Sequence, residues 1–503
     1  PEETVRRFKR RLRQVDLEIL KETVRIDNGR LGIPVFFSRC GKDAAALTGT
    51  KKQMGKGATP EQAEASAVME LAERFSFFSF VNTPANFKVA TFGQVGERAM
   101  PFEMIAKSVH DDSADLGAAR KIFEQIPMRW TPAYNLTAQR EVIVPFDWFY
   151  AINEFNGPSA GNCQEEALLQ GICEIVERHV SALVSRTHIR TPGIRPHSAR
   201  DKAVVEMTEK YEKAGIRFYL SDFTLDMGIP SVGMLAFDPA TFPVLSEIVW
   251  TAGTTPDPEK ALSRTMTEVA QLAGDFNTGA NFVASGLPKF YALQEAEYVT
   301  TPRRLLNIQD LPDLSDNNIR LEVENCLAAL QDRGFEVHVI NTRHAQLDIP
   351  AFYTIIPGAH FRERAAGTSV GMFSTKLIRQ NFAPDQVLDH LIAADRLLPK
   401  KYYINFYIGA THLDLGRPDD ALPFFNRALE LDPAAEDAPS IYSYLGVCHK
   451  DLGNFRDALQ VLAKGAALDK DRTDIYNLMG FCHYQLKEHA QAINCFERAI
   501  NLN

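Results

Sequence analysis

Three times after residue 400 the chain returns to one pattern of side-chain sizes. Gly409, Gly446 and Gly480 are followed, 12 residues on, by Ala421, Ala458 and Ala492. Four residues later stands a large apolar side chain (Phe425, Leu462, Phe496), and three after that a small one (Ala428, Gly465, Ala499). The period is 34 residues between the second and third units and 37 between the first two, where AAEDAPS (434–440) inserts. Small residues in register with one large one are what antiparallel helices need where they touch. This stretch is therefore bound to fold as stacked helical hairpins.

The pattern resembles the tetratricopeptide repeat, with units at about 401–436, 438–471 and 472–503 and Pro433 closing the first. No polar capping helix closes the array, so it is expected to continue or to pair with a protein partner. A chain of 503 residues is too long for one ordinary domain. Residues 1–395 show no repeat and mix helical with β-rich patterns. Helical periodicity falls at 3–22, 59–80, 163–186, 200–214, 258–275, 317–333 and 383–396. Strand patterns fall at Val142–Phe146, Arg217–Asp222, Ser231–Phe237, Ser246–Ala252, Glu336–Asn341 and Phe352–Ile356. The expected fold class is an α+β domain over 1–395 followed by an all-α repeat array over 396–503. Residues 308–316 (IQDLPDLSD) read as a surface linker within the first domain.

Hydrophobic residues at 45 % and charged ones at 24 % exclude global disorder. Lys+Arg number 55 and Asp+Glu 64, so the net charge is 55 − 64 = −9, which gives no global pull towards nucleic acid or anionic lipid. The basic run RRFKRRLR (6–13) is a local exception and reads as a solvated helix face. No apolar run approaches about 18 residues, so no membrane-spanning helix is expected, and the first residues carry no apolar leader. Seven scattered Cys without a CxxC pair suit a reducing cytoplasm and argue against a disulfide framework or a zinc site.

Acidic side chains fall in rows on helical segments. Glu166, Gln170, Glu174 and Glu177 lie at roughly 0°, 40°, 80° and 20° around one helix, with Leu168, Ile172, Ile175 and Val176 opposite. Arg178 is the one cation near this stripe. Such repulsion is tolerable in water and becomes useful when cations sit between the charges. Upstream, FNGPSAGN (155–162) reads as a turn whose amides face a ligand. A second segment carries Glu70, Glu73 and Arg74, with Ala63 and Ala67 letting another element approach on the Glu70 side. Before it, the Gly55-Lys56-Gly57 turn is placed to offer N–H groups and an ammonium to a phosphate, and Thr59 and Pro60 start the helix. A third segment puts Arg264, Glu268 and Gln271 on one face.

Taken together, GKGATPEQAEASAVMELAER, NGPSAGNCQEEALLQGICEIVERH and TAGTTPDPEKALSRTMTEVAQ resemble the three signature blocks of the YcaO family, in the family's order. The likeness is greatest to stand-alone bacterial members associated with ribosomal protein S12 methylthiolation. It implies ATP and Mg²⁺ bound between the helices and transfer of the γ-phosphate to a backbone amide oxygen of a peptide. Attack by a side chain or by sulfide then gives an azoline or a thioamide. It implies that Glu70, Glu73, Glu166, Glu174 and Glu177 hold Mg²⁺. It implies that Thr4, Lys56, Arg74, Asn162, Glu166, Gln170, Arg178, Arg264 and Glu268 contact the nucleotide, with Arg264 and Glu268 in the catalytic role. Mg²⁺ prefers oxygen ligands and bridges carboxylates to phosphate oxygens, and an arginine neutralises charge developing on the phosphoryl group. Two departures bear on the chemistry. Azoline-forming members end in a Pro-rich tail, whereas this chain ends AINLN, which points towards a thioamide-forming or methylthiolation-accessory role. Thr254 and Thr255 stand where members often have Ala-His.

His179 reads as a packed core histidine, Cys163 and Cys173 as packing residues, and Phe75, Phe77, Phe78 and Phe80 as core or a dimer interface. The expected partners are a peptide or ribosomal protein substrate, a protein recruited by the repeats and a second copy of the chain, with no direct nucleic acid and no membrane. The competing function is a nucleotide-regulated adaptor without catalysis.

Overall fold

The computed structural model describes residues 1–503 apart from Asn28, 277–289, 362–367 and Asn503. Two compact units result. One comprises Pro1–Lys88, Thr131–Val144 and Ile152–Glu363, and the other Val89–Trp130, Pro145–Ala151 and Arg364–Asn503.

In the first unit, strands Leu20–Arg25, Val35–Cys40 and Lys52–Lys56 form an antiparallel sheet under helix 60–81. Thr59 caps that helix by accepting the Gln62 N–H, and Pro60 sits where a missing N–H costs nothing. Ala63 and Ala67 are fully buried because the strand ending at Lys56 passes directly over them. A Cβ on Gly55 would lie 2.0 Å from the Ala67 nitrogen. A second sheet runs Val249–Thr254, Ser231–Phe237, Arg217–Asp222, Gly193–Ile194 and Leu305–Leu306, antiparallel except for the last pair, with helix 258–273 packed on it. A third places His338–Asn341, Ala351–Ile355 and Pro158–Ala160 side by side, and helix 164–187 crosses it.

Three expectations need correction. The helix expected over 3–22 ends at Leu12, and Leu20–Arg25 is a strand. Val15 and Ile19 keep the helical spacing and are buried in the same cluster as Val5 and Phe8, so burial continues after the helix stops. Residues 308–316 are no surface linker. Ile308 and Leu311 are buried beside helix 258–273, and the Leu314 N–H donates to the Pro256 carbonyl at 2.9 Å. The boundary placed near residue 395 does not follow the packing, because helices 370–381 and 384–397 belong to the repeat-bearing unit.

Those two helices extend the repeat pattern upstream. Thr375, Val387, Leu391, Ala394 and Pro399 stand 34 residues before Gly409, Ala421, Phe425, Ala428 and Pro433. Thr375, Val387, Leu391 and Ala394 are buried. Thr and Val in place of Gly and Ala hid this unit. In the other three, the large residue fills the space a glycine leaves, and a Cβ on Gly409, Gly446 or Gly480 would lie 3.0, 2.4 or 2.7 Å from Phe425, Leu462 or Phe496.

Gly446→Val should therefore lower the stability of the repeat-bearing unit by about 1–3 kcal/mol, the usual cost of overpacking. Urea unfolding followed by circular dichroism reads this, and an unchanged transition would contradict the packing.

Candidate functional site

One cavity of about 710 Å³ in the first unit receives side chains from every element singled out by the sequence. Helix 60–81 contributes Glu70, Glu73 and Arg74. Helix 164–187 contributes Glu166, Gln170, Glu174, Glu177 and Arg178, and helix 258–273 contributes Arg264 and Glu268. Thr4, Lys56 and Asn162 complete the thirteen residues expected at the site, and all thirteen line this cavity. Sequence reasoning missed Gln62, Ser66 and Ser159 as lining residues and gave Gln271 no site role. Gln62 and Ser66 precede Glu70 and Glu73 at helical spacing, so their shared face was legible; Ser159 had no such signal.

Charge ties helix 258–273 across the cavity to helix 164–187 and to the end of strand Lys52–Lys56. Arg264 donates through Nε to Glu177 at 3.1 Å and through Nη1 to Gln170 at 3.2 Å, which joins helix 258–273 to helix 164–187. Lys56 pairs with Glu268. Arg74 donates to the Phe155 carbonyl at 3.1 Å and lies 3.4 Å from Glu73, while Arg178 lies 3.8 Å from Glu174.

Burial pushes the Glu70 carboxyl above the ordinary carboxylate range, against the pull of Arg74 and Lys56. It pushes Glu73 well above that range, and the Glu174 and Glu70 charges add to the effect against Arg74. Burial also brings the Lys56 ammonium down to about 8, helped by the positive charge of Arg264. For Arg264, burial works against the charge, yet Glu177 and its other neighbours outweigh it and raise the guanidinium pKa. The cavity thus has an under-compensated acidic wall facing cations.

Two expectations about backbone amides fail. Gly55-Lys56-Gly57 is no phosphate-cradling turn, because Lys56 ends a strand and the Gly57 N–H donates to the Pro34 carbonyl. Its glycines serve close packing on helix 60–81, and only the Lys56 side chain reaches the cavity. FNGPSAGN contains the strand Pro158–Ala160, and its amides hold carboxylates. The Gly157 N–H donates to Glu174 at 3.2 Å, and the Asn162 N–H and side-chain amide both donate to Glu166 at 2.9 Å. These bonds aim the acidic stripe.

His179 is buried, faces Asp226 at 3.2 Å and accepts the His360 N–H at 2.9 Å. Cys173 is buried, and the Cys163 sulfur caps helix 164–187 by accepting the Glu166 N–H. Phe75 and Phe77 are buried, and Phe77 packs 5.0 Å from Tyr353. Core is therefore the better description of both.

The residues present fit Mg²⁺ with a phosphate chain. Among the described residues, no three His, Cys, Asp or Glu side chains stand together as a self-sufficient metal site. Mg²⁺ suits this arrangement, since it is usually bound by one or two carboxylates plus phosphate oxygens and water. Arg178 Nε and Gln271 Oε1, both on the cavity wall, are buried without a hydrogen-bond partner among the described residues. An anionic, oxygen-rich occupant supplies what the arginine lacks.

Fold and site define a nucleotide-binding class of protein, and comparison with known proteins names it. The family model described as YcaO cyclodehydratase, ATP- and Mg²⁺-binding, matches residues 54–360. The chain belongs to the YcaO family. Tetratricopeptide-repeat models match residues 386–436, 412–480 and 473–503. An uncharacterized protein of Methanothermobacter thermautotrophicus is 28 % identical over 383 residues, covering 71 % of this chain and 93 % of that one. The ribosomal protein S12 methylthiotransferase accessory factor YcaO of Escherichia coli is 29 % identical over 243 residues, 44 % of this chain and 40 % of that one. The structure of YcaO from Methanopyrus kandleri bound with AMPPCP and Mg²⁺ shares the fold at a TM-score of 0.55 and 23 % identity, covering 71 % of this chain and 91 % of that one. Among the described residues no helix is long and apolar enough to cross a membrane.

Because the ionised form of Glu73 is disfavoured in the folded state, a neutral replacement removes a destabilising charge at neutral pH. Glu73→Gln should raise the thermal midpoint of the nucleotide-free, metal-free protein. A lower or unchanged midpoint would show that this carboxylate is fully compensated without a cation.

Proposed function

We propose that this chain is an ATP- and Mg²⁺-dependent enzyme that activates a backbone amide of a peptide or ribosomal protein, as a thioamide-forming or methylthiolation-accessory factor. A cytoplasmic homodimer, with the repeats recruiting a protein partner, completes the reading. The observation that carries it is the convergence of Glu70, Glu73 and Glu174 with Lys56, Arg178 and Arg264 on one cavity from three helices and a strand end. The family's cofactor description and the name of the Escherichia coli relative support it.

ATP with Mg²⁺ supplies a phosphoryl group that turns an amide oxygen into a leaving group. The chain's own contribution is positioning and charge. Glu70, Glu73, Glu166, Glu174 and Glu177 would hold the cations. Arg264 is fixed by Glu177 and Gln170 before any ligand arrives, so little reorganisation remains when it neutralises phosphoryl charge. Glu268 holds Lys56 in the cavity wall as a second cation for phosphate oxygens. Arg74 and Arg178 stand beside the acidic wall, and Thr4 and Asn162 line the cavity towards the Glu2–Leu12 helix.

Titration calorimetry of the full chain with ATP tests this reading. Saturable binding should require Mg²⁺, and Glu174→Lys should weaken it by about a hundredfold or more with the fold intact, since even outer-shell changes cost ~10–100-fold in metal affinity. Mg²⁺-independent binding or no binding would favour an adaptor whose repeats do the work.

A further inference from the structure

The Glu2–Leu12 helix carries a cationic row that the cavity chemistry does not use. Its Thr4 lines the cavity, while Val5 and Phe8 are buried against helix 60–81 and its neighbours. Of the six basic residues between positions 6 and 13, three are neutralised. Arg6 pairs with Glu3, Lys9 with Glu64 at 2.9 Å and Arg11 with Asp348 at 2.8 Å. The other three are Arg7, Arg10 and Arg13, all exposed and none ion-paired to a carboxylate among the described residues. Arg7 donates to the Asn162 carbonyl at 2.9 Å, Arg13 donates to the Lys9 carbonyl at 3.4 Å, and Arg10 makes no such bond. The unpaired set falls at i, i+3 and i+6, so it makes an oblique ridge that steps about 60° round the helix at each arginine and ends at Arg13, in a groove that Glu61 and Glu64 also line. The ridge starts at Asn162, itself on the cavity wall, and runs about 9 Å along the helix axis.

We propose that this ridge docks an acidic segment of the polypeptide substrate and leads it to the cavity mouth. The inference deepens the amide-activating reading and rests on it for the word substrate. Charge complementarity carries it. In a chain of net charge −9, residues 2–13 carry six basic side chains against two acidic ones, so an acidic segment is attracted here. The ridge is about as long as three residues of extended chain, so it matches carboxylates two or three positions apart. Nucleic acid is the poorer fit, because single strands need exposed aromatic platforms and the one aromatic residue of this helix, Phe8, is buried.

The test uses the full chain without nucleotide and a short fluorescein-labelled peptide alternating Glu and Gly, followed by anisotropy. The peptide should bind, binding should weaken with added salt, and Arg10→Glu with Arg13→Glu should weaken it about tenfold or more. Arg10→Gln with Arg13→Gln should give an intermediate loss. Lys202→Glu, on a side chain 91 % exposed at the start of helix Lys202–Lys213, should leave binding unchanged. Failure of the peptide to bind, or binding that survives the Arg10 and Arg13 reversals, overturns the proposal. So does an oligouridine that binds more tightly than the peptide and is lost with the same substitutions, which would assign the ridge to nucleic acid. An equal fall in Mg²⁺·ATP affinity in the reversed variant would assign it to the nucleotide. Nucleotide binding by the unaltered chain is measured separately. A chain that binds the peptide through these arginines but no Mg²⁺·ATP keeps its acidic-peptide site and loses the amide-activating reading.

Discussion

Everything at the site follows from crowding the half-buried Glu70 and Glu73 beside Glu174. Desolvation disfavours their charged forms, and mutual repulsion adds to the cost. Arg74 relieves part of it, yet the net effect on both carboxyls stays unfavourable to ionisation. A fold tolerates such an arrangement only if the rest of the scaffold enforces it. Divalent cations with their own anionic ligand convert the same arrangement into a binding surface.

The enforcement is visible residue by residue. Gly55, Ala63 and Ala67 bring a strand and helix 60–81 into backbone contact, so the helix cannot roll its acids towards solvent. Ser38 adds a hydrogen bond to the Ala67 carbonyl at 2.9 Å. On helix 164–187, the amides of Gly157 and Asn162 pin Glu174 and Glu166, and Arg264 pins Glu177. The apolar opposite face of that helix, with Ile172, Ile175 and Val176 fully buried, fixes its rotation. Function-bearing side chains are thus held by partners on the neighbouring elements.

Much of this was legible because helices report their faces through spacing. Glu166, Gln170, Glu174 and Glu177 repeat at helical intervals, and so do Arg264 and Glu268. The role of the intervening loops was not legible, since which group an amide meets is decided by tertiary approach. Gly157 and Gly55 look alike as turn glycines, yet one precedes a strand whose entry holds a carboxylate and the other lies within a packed strand. The end of the first helix was hidden because Val15 and Ile19 keep helical periodicity while being buried in the irregular segment before strand Leu20–Arg25. The additional repeat unit was hidden because Val387 and Thr375 fill the same geometric slots as Ala421 and Gly409 with different side chains.

The central claim is that these carboxylates need a divalent cation and a phosphate chain together, not either alone. Thermal unfolding of the full chain tests it most directly, with Mg²⁺, with a non-hydrolysable ATP analogue, and with both. A ligand that binds the folded state raises the midpoint by mass action. The account predicts a clear rise only when both are present. A rise of equal size with the analogue alone, or none with the pair, would contradict it.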